Sequence, residues 1–241
     1  MLKIRPFQPT EADYAALVAI NNACWPDNPQ SIAGAMRADA KRNPAYFFQR
    51  LVGELAGTIV AIGECGATFW LAEPGQYFWH CNLLPAYANQ GLEAAMHGAL
   101  MTLLAKEQPQ KFFVGMRDDK VAQIQWIEAL GYRLLQTEPT SYLDVPSFDV
   151  TPFTDLLTRV GQQGIAIVDV HSLQQVDPQW LHKLWELQWA IRQDVPNSSQ
   201  VTREPLAEFE QRVRDPEEYN AAEHFVALQR TVPSGVAADV N

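Results

Sequence analysis

The chain has 241 residues and a formal net charge of −10, which disfavours the phosphate backbone of a nucleic acid as a partner. It holds no apolar run of about 18 residues, so no membrane-spanning helix is expected. The N-terminus lacks the apolar core of a signal peptide. The three cysteines, Cys24, Cys65 and Cys81, are few and scattered, which implies reduced thiols and a cytoplasmic setting.

The length suits one large or two small domains. Residues 2–7 read as a first strand. Thr10-Glu11-Ala12-Asp13 reads as a capping box opening a helix with Tyr14, Leu17, Val18 and Ile20 on its apolar face. A second helix is expected over 33–40, stopped by Asn43-Pro44. Residues 46–54 and 58–70 read as antiparallel strands joined at Leu55-Ala56-Gly57, and Glu73-Pro74-Gly75 makes the next turn.

The stretch from Tyr77 to Ala105 organises the rest. An apolar strand, residues 77–84, is broken by Pro85-Ala86-Tyr87-Ala88-Asn89-Gln90-Gly91. A helix follows with Leu92, Met96, Ala99, Leu100, Leu103 and Leu104 at steps of three and four. Strand, turn and helix N-terminus in that order form an anion site, because the first helical N–H groups lack intrahelical partners and carry partial positive charge. Residues 112–116 then read as a buried strand and 119–130 as a helix ended by Gly131. Residues 132–136 and 141–145 read as two closing strands.

Leu83-x-Pro85-x-Tyr87 with Gly91 resembles the cofactor loop of the GNAT superfamily of N-acetyltransferases. The expected element order, β-α-α-β-β-β-α-β-α-β-β, is also that family's. The segment ending Glu128-Ala129-Leu130-Gly131-Tyr132 is similar to another of its motifs. Three positions depart from the pattern: Ala88 stands for the arginine, Glu93 for the second glycine and Ile127 for the tyrosine that often protonates the departing thiolate. The resemblance implies an α/β GNAT (acyl-CoA N-acyltransferase) fold with a mixed central sheet flanked by helices. It further implies an acetyl-CoA-dependent N-acetyltransferase acting on an amine of unknown identity. By the same resemblance, the backbone of Cys81, Asn82 and Leu83 would take the pantetheine arm. Asn89, Gln90, Gly91, Leu92, Glu93 and Ala94 would hold the pyrophosphate. The alternative is a catalytically inactive module of the same fold that binds CoA or associates with a partner.

Acetyl transfer needs a base for the ammonium, and Glu64 and His80 are the candidates, both on strands expected to line the cleft. Cys81 reads as a packed thiol. No metal is expected, because the five histidines and three cysteines show no ligand spacing. GxSxG, GxxxxGK[ST] and HExxH motifs are absent.

Beyond residue 163 the chain begins a similar order again. Residues 164–169 read as a strand, and Asp177-Pro178 starts a helix with Trp180, Leu181, Leu184, Trp185, Gln188 and Trp189. Arg214-Asp215-Pro216 echoes Arg42-Asn43-Pro44, and residues 224–229 echo 48–53. This order resembles tandem-GNAT proteins. It implies a degenerate first domain over 1–146, a linker helix within 147–163 and an incomplete second GNAT-like unit over 164–241. A partial unit exposes a sheet edge and an apolar face. The tryptophan helix is therefore expected to dock on the first domain or on a second copy of the chain, as a homodimer.

Overall fold

The computed structural model describes residues 2–71, 73–88, 90–196, 200–216 and 218–229. The chain divides into two compact units, Met1–Arg133 and Leu134–Asn241.

The first unit is an α/β structure with a mixed five-stranded sheet in sequence order. β1 (Lys3–Pro6) pairs antiparallel with β2 (Phe48–Leu55), which pairs antiparallel with β3 (Thr58–Ala67). Their hairpin turns on Ala56 and Gly57, at φ 50° and 83°, a left-handed pair that matches the strand twist. β4 (Gln76–Leu83) pairs antiparallel with β3 from Tyr77 to Leu83. β5 (Lys111–Phe113) pairs with β4 in parallel.

Helices cover both faces. α1 (Glu11–Cys24) is capped by the Thr10 hydroxyl, which accepts from the Asp13 N–H, and α2 (Ile32–Ala40) by Ser31 in the same way. On this face Tyr14, Leu17 and Ile20 of α1 pack on Val52 and Ile62. On the other face lie α3 (Leu92–Leu104) and α4 (Val121–Ala129). Met96, Leu100, Leu104 and Ile127 there pack on Leu51, Ala61, Cys65, Trp79 and Leu83. A Cβ on Gly63 would lie 2.9 Å from Met96 Cε and 3.1 Å from Leu100 Cδ1, so the glycine sets how closely α3 approaches the sheet. Gly131, at φ 93°, closes α4 as the expected left-handed residue.

The two expected closing strands do not form. Residues 134–144 follow an irregular course, with Leu134, Leu135, Tyr142 and Leu143 exposed. Their apolar side chains read as strand residues, but strand pairing is a long-range choice that local composition does not make.

The second unit has its own core. Short 3₁₀ turns at Val145–Ser147 and Thr151–Phe153 lead to α5 (Leu156–Gln162). β6 (Ile165–Asp169) pairs antiparallel with β7 (Phe225–Gln229). Between them run α6 (Val170–Val176), α7 (Trp180–Asp194) and α8 (Leu206–Val213). Asp177 ends α6 and accepts from the Gln179 N–H, so α7 begins two residues later than Asp177-Pro178 indicates.

Part of the tryptophan helix is covered within this unit. Trp180 and Leu184 pack with Val170, Leu173, Phe209, Val213 and Val226. The Trp185 indole N–H donates to the Glu204 carbonyl at 2.8 Å, and Arg203 lies 3.4 Å from its ring centroid. The cover comes from α6 and α8, which the sequence reading did not identify.

Leu100→Ala, at a fully buried site, should cost about 2–5 kcal/mol in urea unfolding. Leu134→Ala should cost under about 0.5 kcal/mol. A large loss at Leu134 would mean that the segment is a packed strand after all.

Candidate active site

Side chains alternate across a strand, so β4 presents two unlike faces. His80 and Asn82 share the α1 face, whereas Trp79, Cys81 and Leu83 share the α3 face with Met96 and Leu100.

Glu64 and His80 are direct partners in the β3–β4 ladder, and Arg50 stands opposite Glu64 on β2. A charged row results. His80 Nε2 lies 3.1 Å from Glu64 Oε2, and Arg50 Nε donates to Glu64 Oε1. The other two Arg50 nitrogens donate to Asp39 of α2, at 2.6 and 3.0 Å. The Tyr14 hydroxyl also donates to Asp39, at 2.9 Å. Burial pushes the Glu64 carboxyl up, but the His80 and Arg50 partners outweigh it and hold the group at about 2. Burial likewise opposes ionisation of Asp39, and Arg50 overcomes it, leaving that carboxyl below its usual range. Glu64 is thus a fixed anion at neutral pH, which suits it to orient and charge-balance His80 rather than to carry a proton. His80 is the partly exposed end of the row, with 38% of its side chain open.

The sequence-derived cofactor residues gather at the C-terminal end of β4. Cys81 is partly buried, and burial pushes its thiol up, with the nearby Glu93 charge adding to the effect. That is a packed thiol and not an activated one. The Asn82 amide donates to Asn21 at 3.0 Å and its oxygen accepts the Trp25 indole N–H at 3.4 Å. Leu83 is buried, and its carbonyl accepts the Cys24 thiol at 3.1 Å. A 3₁₀ turn over Pro85–Tyr87 follows, with the Gln90 amide donating to the Ala86 carbonyl at 3.0 Å. Gly91 is the N-cap of α3 at φ 77°, offers no side-chain cap, and leaves open space where a Cβ would stand. Leu92 packs into the core, Glu93 lies in the first turn and Ala94 is exposed. Asn89 lies outside the described residues.

The β4–β5 pair supplies a second feature. Its ladder comprises Gln76, Tyr77 and Phe78 of β4 opposite Lys111, Phe112 and Phe113 of β5. Residues 79–83 continue beyond it without a partner on that side among the described residues. The β4–β5 ladder thus ends at Phe78 and Phe113.

Two groups were not found from sequence. Arg50 gave no signal, because its partners lie 11 and 14 residues away and meet it through helix docking and cross-strand pairing. Tyr132 passed as the aromatic end of a motif. Its hydroxyl accepts the Trp79 indole N–H at 2.7 Å, within a cluster that includes His97 and Trp126. Burial pushes the Tyr132 phenol up despite that hydrogen bond, so it keeps its proton and can donate it. Ile127, at the family's tyrosine position, is core.

Among the described residues no group of three or more His, Cys, Asp or Glu could hold a metal ion, and no helix is long and apolar enough to cross a membrane. No family model matches the chain, and no curated protein does either. Solved structures similar to part of it include a transcriptional regulator from Bacillus halodurans C-125. That match has a TM-score of 0.50 at 12% identity and spans 59% of this chain and 100% of that one. An aminoglycoside acetyltransferase from an uncultured soil metagenomic sample matches with a TM-score of 0.48 at 14% identity, over 60% of this chain and 96% of that one. A Salmonella typhimurium structure determined with its cofactor acetyl-CoA matches with a TM-score of 0.48 at 19% identity, over 60% and 86% respectively.

The depressed Glu64 carboxyl gives a signed pH dependence. Its folded value, about 2, lies below the ordinary 4.5. Its stabilisation is therefore fully present above pH 4.5 and is lost as pH falls through about 2. Glu64→Gln should cost about 3 kcal/mol at pH 7, because it leaves Arg50 short of a buried partner. The variant's stability should also change less than wild type on acidification. Parallel acid titrations followed by near-ultraviolet circular dichroism would check this; identical profiles would remove Glu64 from the stabilising network.

Proposed function

We propose that the first unit is a GNAT-type, acetyl-CoA-dependent N-acetyltransferase domain that transfers an acetyl group to an amine. The observation that carries this reading is the short β4–β5 ladder, which ends at Phe78, together with a helix N-terminus whose N-cap is Gly91.

The residues fit the cosubstrate through their backbone. Beyond the β5 ladder, the main chain of Cys81, Asn82 and Leu83 is our assignment for the contact with an amide-bearing arm, with the Leu83 carbonyl already accepting the Cys24 thiol. The first turn of α3, entered through Gly91, which gives no side-chain cap, offers a helix N-terminus to a diphosphate, and we assign residues 89–94 to that contact. Gly91 leaves the approach clear. Glu93 in that turn opposes a diphosphate by like charge, and Ala88 supplies no compensating cation. Affinity should therefore be modest.

When bound, acetyl-CoA supplies an acetyl thioester. His80 takes the proton that an incoming ammonium must lose, with Glu64 fixing the ring and balancing its positive charge. Arg50 and Asp39 hold Glu64 in place. Tyr132 keeps a proton on the α3 side of the sheet and is our assignment for the acid that Ile127 cannot be.

We read the second unit as a further GNAT-like unit that begins the same order. β6 and β7 enclose three helices where β1 and β2 enclose two, and the enclosing strands pair antiparallel in both units. Its proposed extent is residues 164–241, after a linker over 147–163.

A second reading is favoured by Glu93 and by the core position of Ile127: a module of this fold without catalysis. Calorimetric titration with acetyl-CoA, desulfo-CoA and ADP separates the two. Binding of all three, strengthened about tenfold by Glu93→Gln, is expected for the enzyme. No heat at millimolar ligand, in wild type and variant alike, would leave the inactive module. In an active preparation Tyr132→Phe should lower kcat by about 10²-fold with KM little changed; an unchanged kcat would remove Tyr132 as the acid.

A further inference from the structure

The α1 face of the sheet carries a feature that acetyl-CoA binding does not use. Five rings run in contact from the loop before β2 to the end of the charged row. Tyr46 stacks on Phe69, with centroids 5.3 Å apart. Phe69 meets Trp70 edge-on at 5.1 Å. Trp70 lies against Phe78 at 5.7 Å, and Phe78 is nearly parallel to His80 at 6.3 Å and 13°. Phe78 and His80 follow one another on the same face of β4, so the row of rings ends at the Glu64–His80 pair.

The rings are held in place but left uncovered. Gly66 stands opposite Phe78 in the β3–β4 ladder. A Cβ there would lie 2.9 Å from the Phe78 ring and 3.0 Å from the Phe47 carbonyl oxygen, so the glycine makes room for that ring. Phe69 is 52% exposed, Tyr46 38% and Trp70 36%. A strip of rings at the sheet surface, with one end on a partly exposed histidine, is a ready stacking platform.

We infer that this ring strip is the acceptor subsite, and that the acceptor is a primary amine carried by a short spacer on a flat aromatic body. The inference rests on the transferase reading for the acceptor's role, but the strip's affinity for such an amine is a separate property. A ring seated on Trp70 and Phe78 places a short-chain amine beside His80. The charges around the row, Arg42 and Arg50 against Asp39 and Glu64, cancel, so the selection falls on the ring rather than on net charge. Size also favours a small ligand. Tyr46, Phe69 and Trp70 together expose on the order of 200–300 Å². A stable protein interface needs about 800 Å² from each partner.

The test uses the full chain without acetyl-CoA, so that it reads the strip alone. Tryptamine and 2-phenylethylamine should bind about tenfold or more tightly than butylamine in calorimetric or NMR titrations. Phe69→Ala, at the most exposed ring, and Trp70→Ala should each reduce aryl-amine affinity about fivefold with butylamine unchanged, and Trp70→Phe should restore most of it. Equal affinity for butylamine and the aryl amines would overturn the proposal, as would no detectable binding of tryptamine. So would a concentration-dependent dimer in sedimentation equilibrium that Trp70→Ala dissolves, because it would assign the strip to a second copy of the chain. Retained aryl-amine binding with no acetylated product on adding acetyl-CoA would overturn the transferase reading and leave the strip standing as a binding site.

Discussion

β4 lies between two unlike neighbours, and much of the first unit follows from that. β3 is joined to it through residues 68–75 and pairs antiparallel with it, so their side chains face each other as fixed cross-strand partners. β5 can reach β4 in parallel only through a crossover, which α3 supplies. The parallel ladder is short. Beyond it the β4 backbone has a partner on one side only, and main-chain groups in that state call for a ligand, water or another segment. The same strand therefore has a backbone edge in the plane of the sheet and a row of side chains toward α1.

The side-chain row is costly to build. Glu64, Arg50 and Asp39 are largely withdrawn from water, and each would be strongly destabilising without its neighbours. Arg50 resolves this by its shape: one guanidinium face serves Asp39 with two nitrogens while Nε serves Glu64. The docked end of α2 and three strands are tied together by that one side chain. The result is a carboxylate that cannot rotate or protonate near neutrality beside a histidine that remains open to solvent. Stability and preorganisation have the same origin here.

The second unit solves a different problem. Two paired strands leave an apolar face, and a helix rich in tryptophan lies over it. α6 and α8 close that core from either side, with Arg203 over the Trp185 ring and Glu204 accepting its N–H. A unit with so small a sheet reaches a buried core because large aromatic side chains withdraw much apolar area per residue.

The sequence by itself determined the elements whose causes are local. Thr10 and Gly131 act where capping chemistry places them, the Ala56-Gly57 turn joins its strands, and the recurrence of Met96, Leu100 and Leu104 at every fourth position buries one face of α3. The pairing of β4 with β5 across a helix was legible because parallel strands leave few alternatives. The turn at Gly91 was legible too, since only glycine takes its φ of 77° without strain. Tertiary structure decided what depends on distant partners. It left residues 134–144 without strand pairing although their composition suits a strand. It covered Trp180 with two short helices, α6 and α8. It also anchored Glu64 between Arg50 and His80, joined His80 to a strip of rings, and brought the Tyr132 hydroxyl to Trp79. Each of these rests on contacts between segments far apart in the chain, and a proton affinity or a burial is a property of the assembled surroundings.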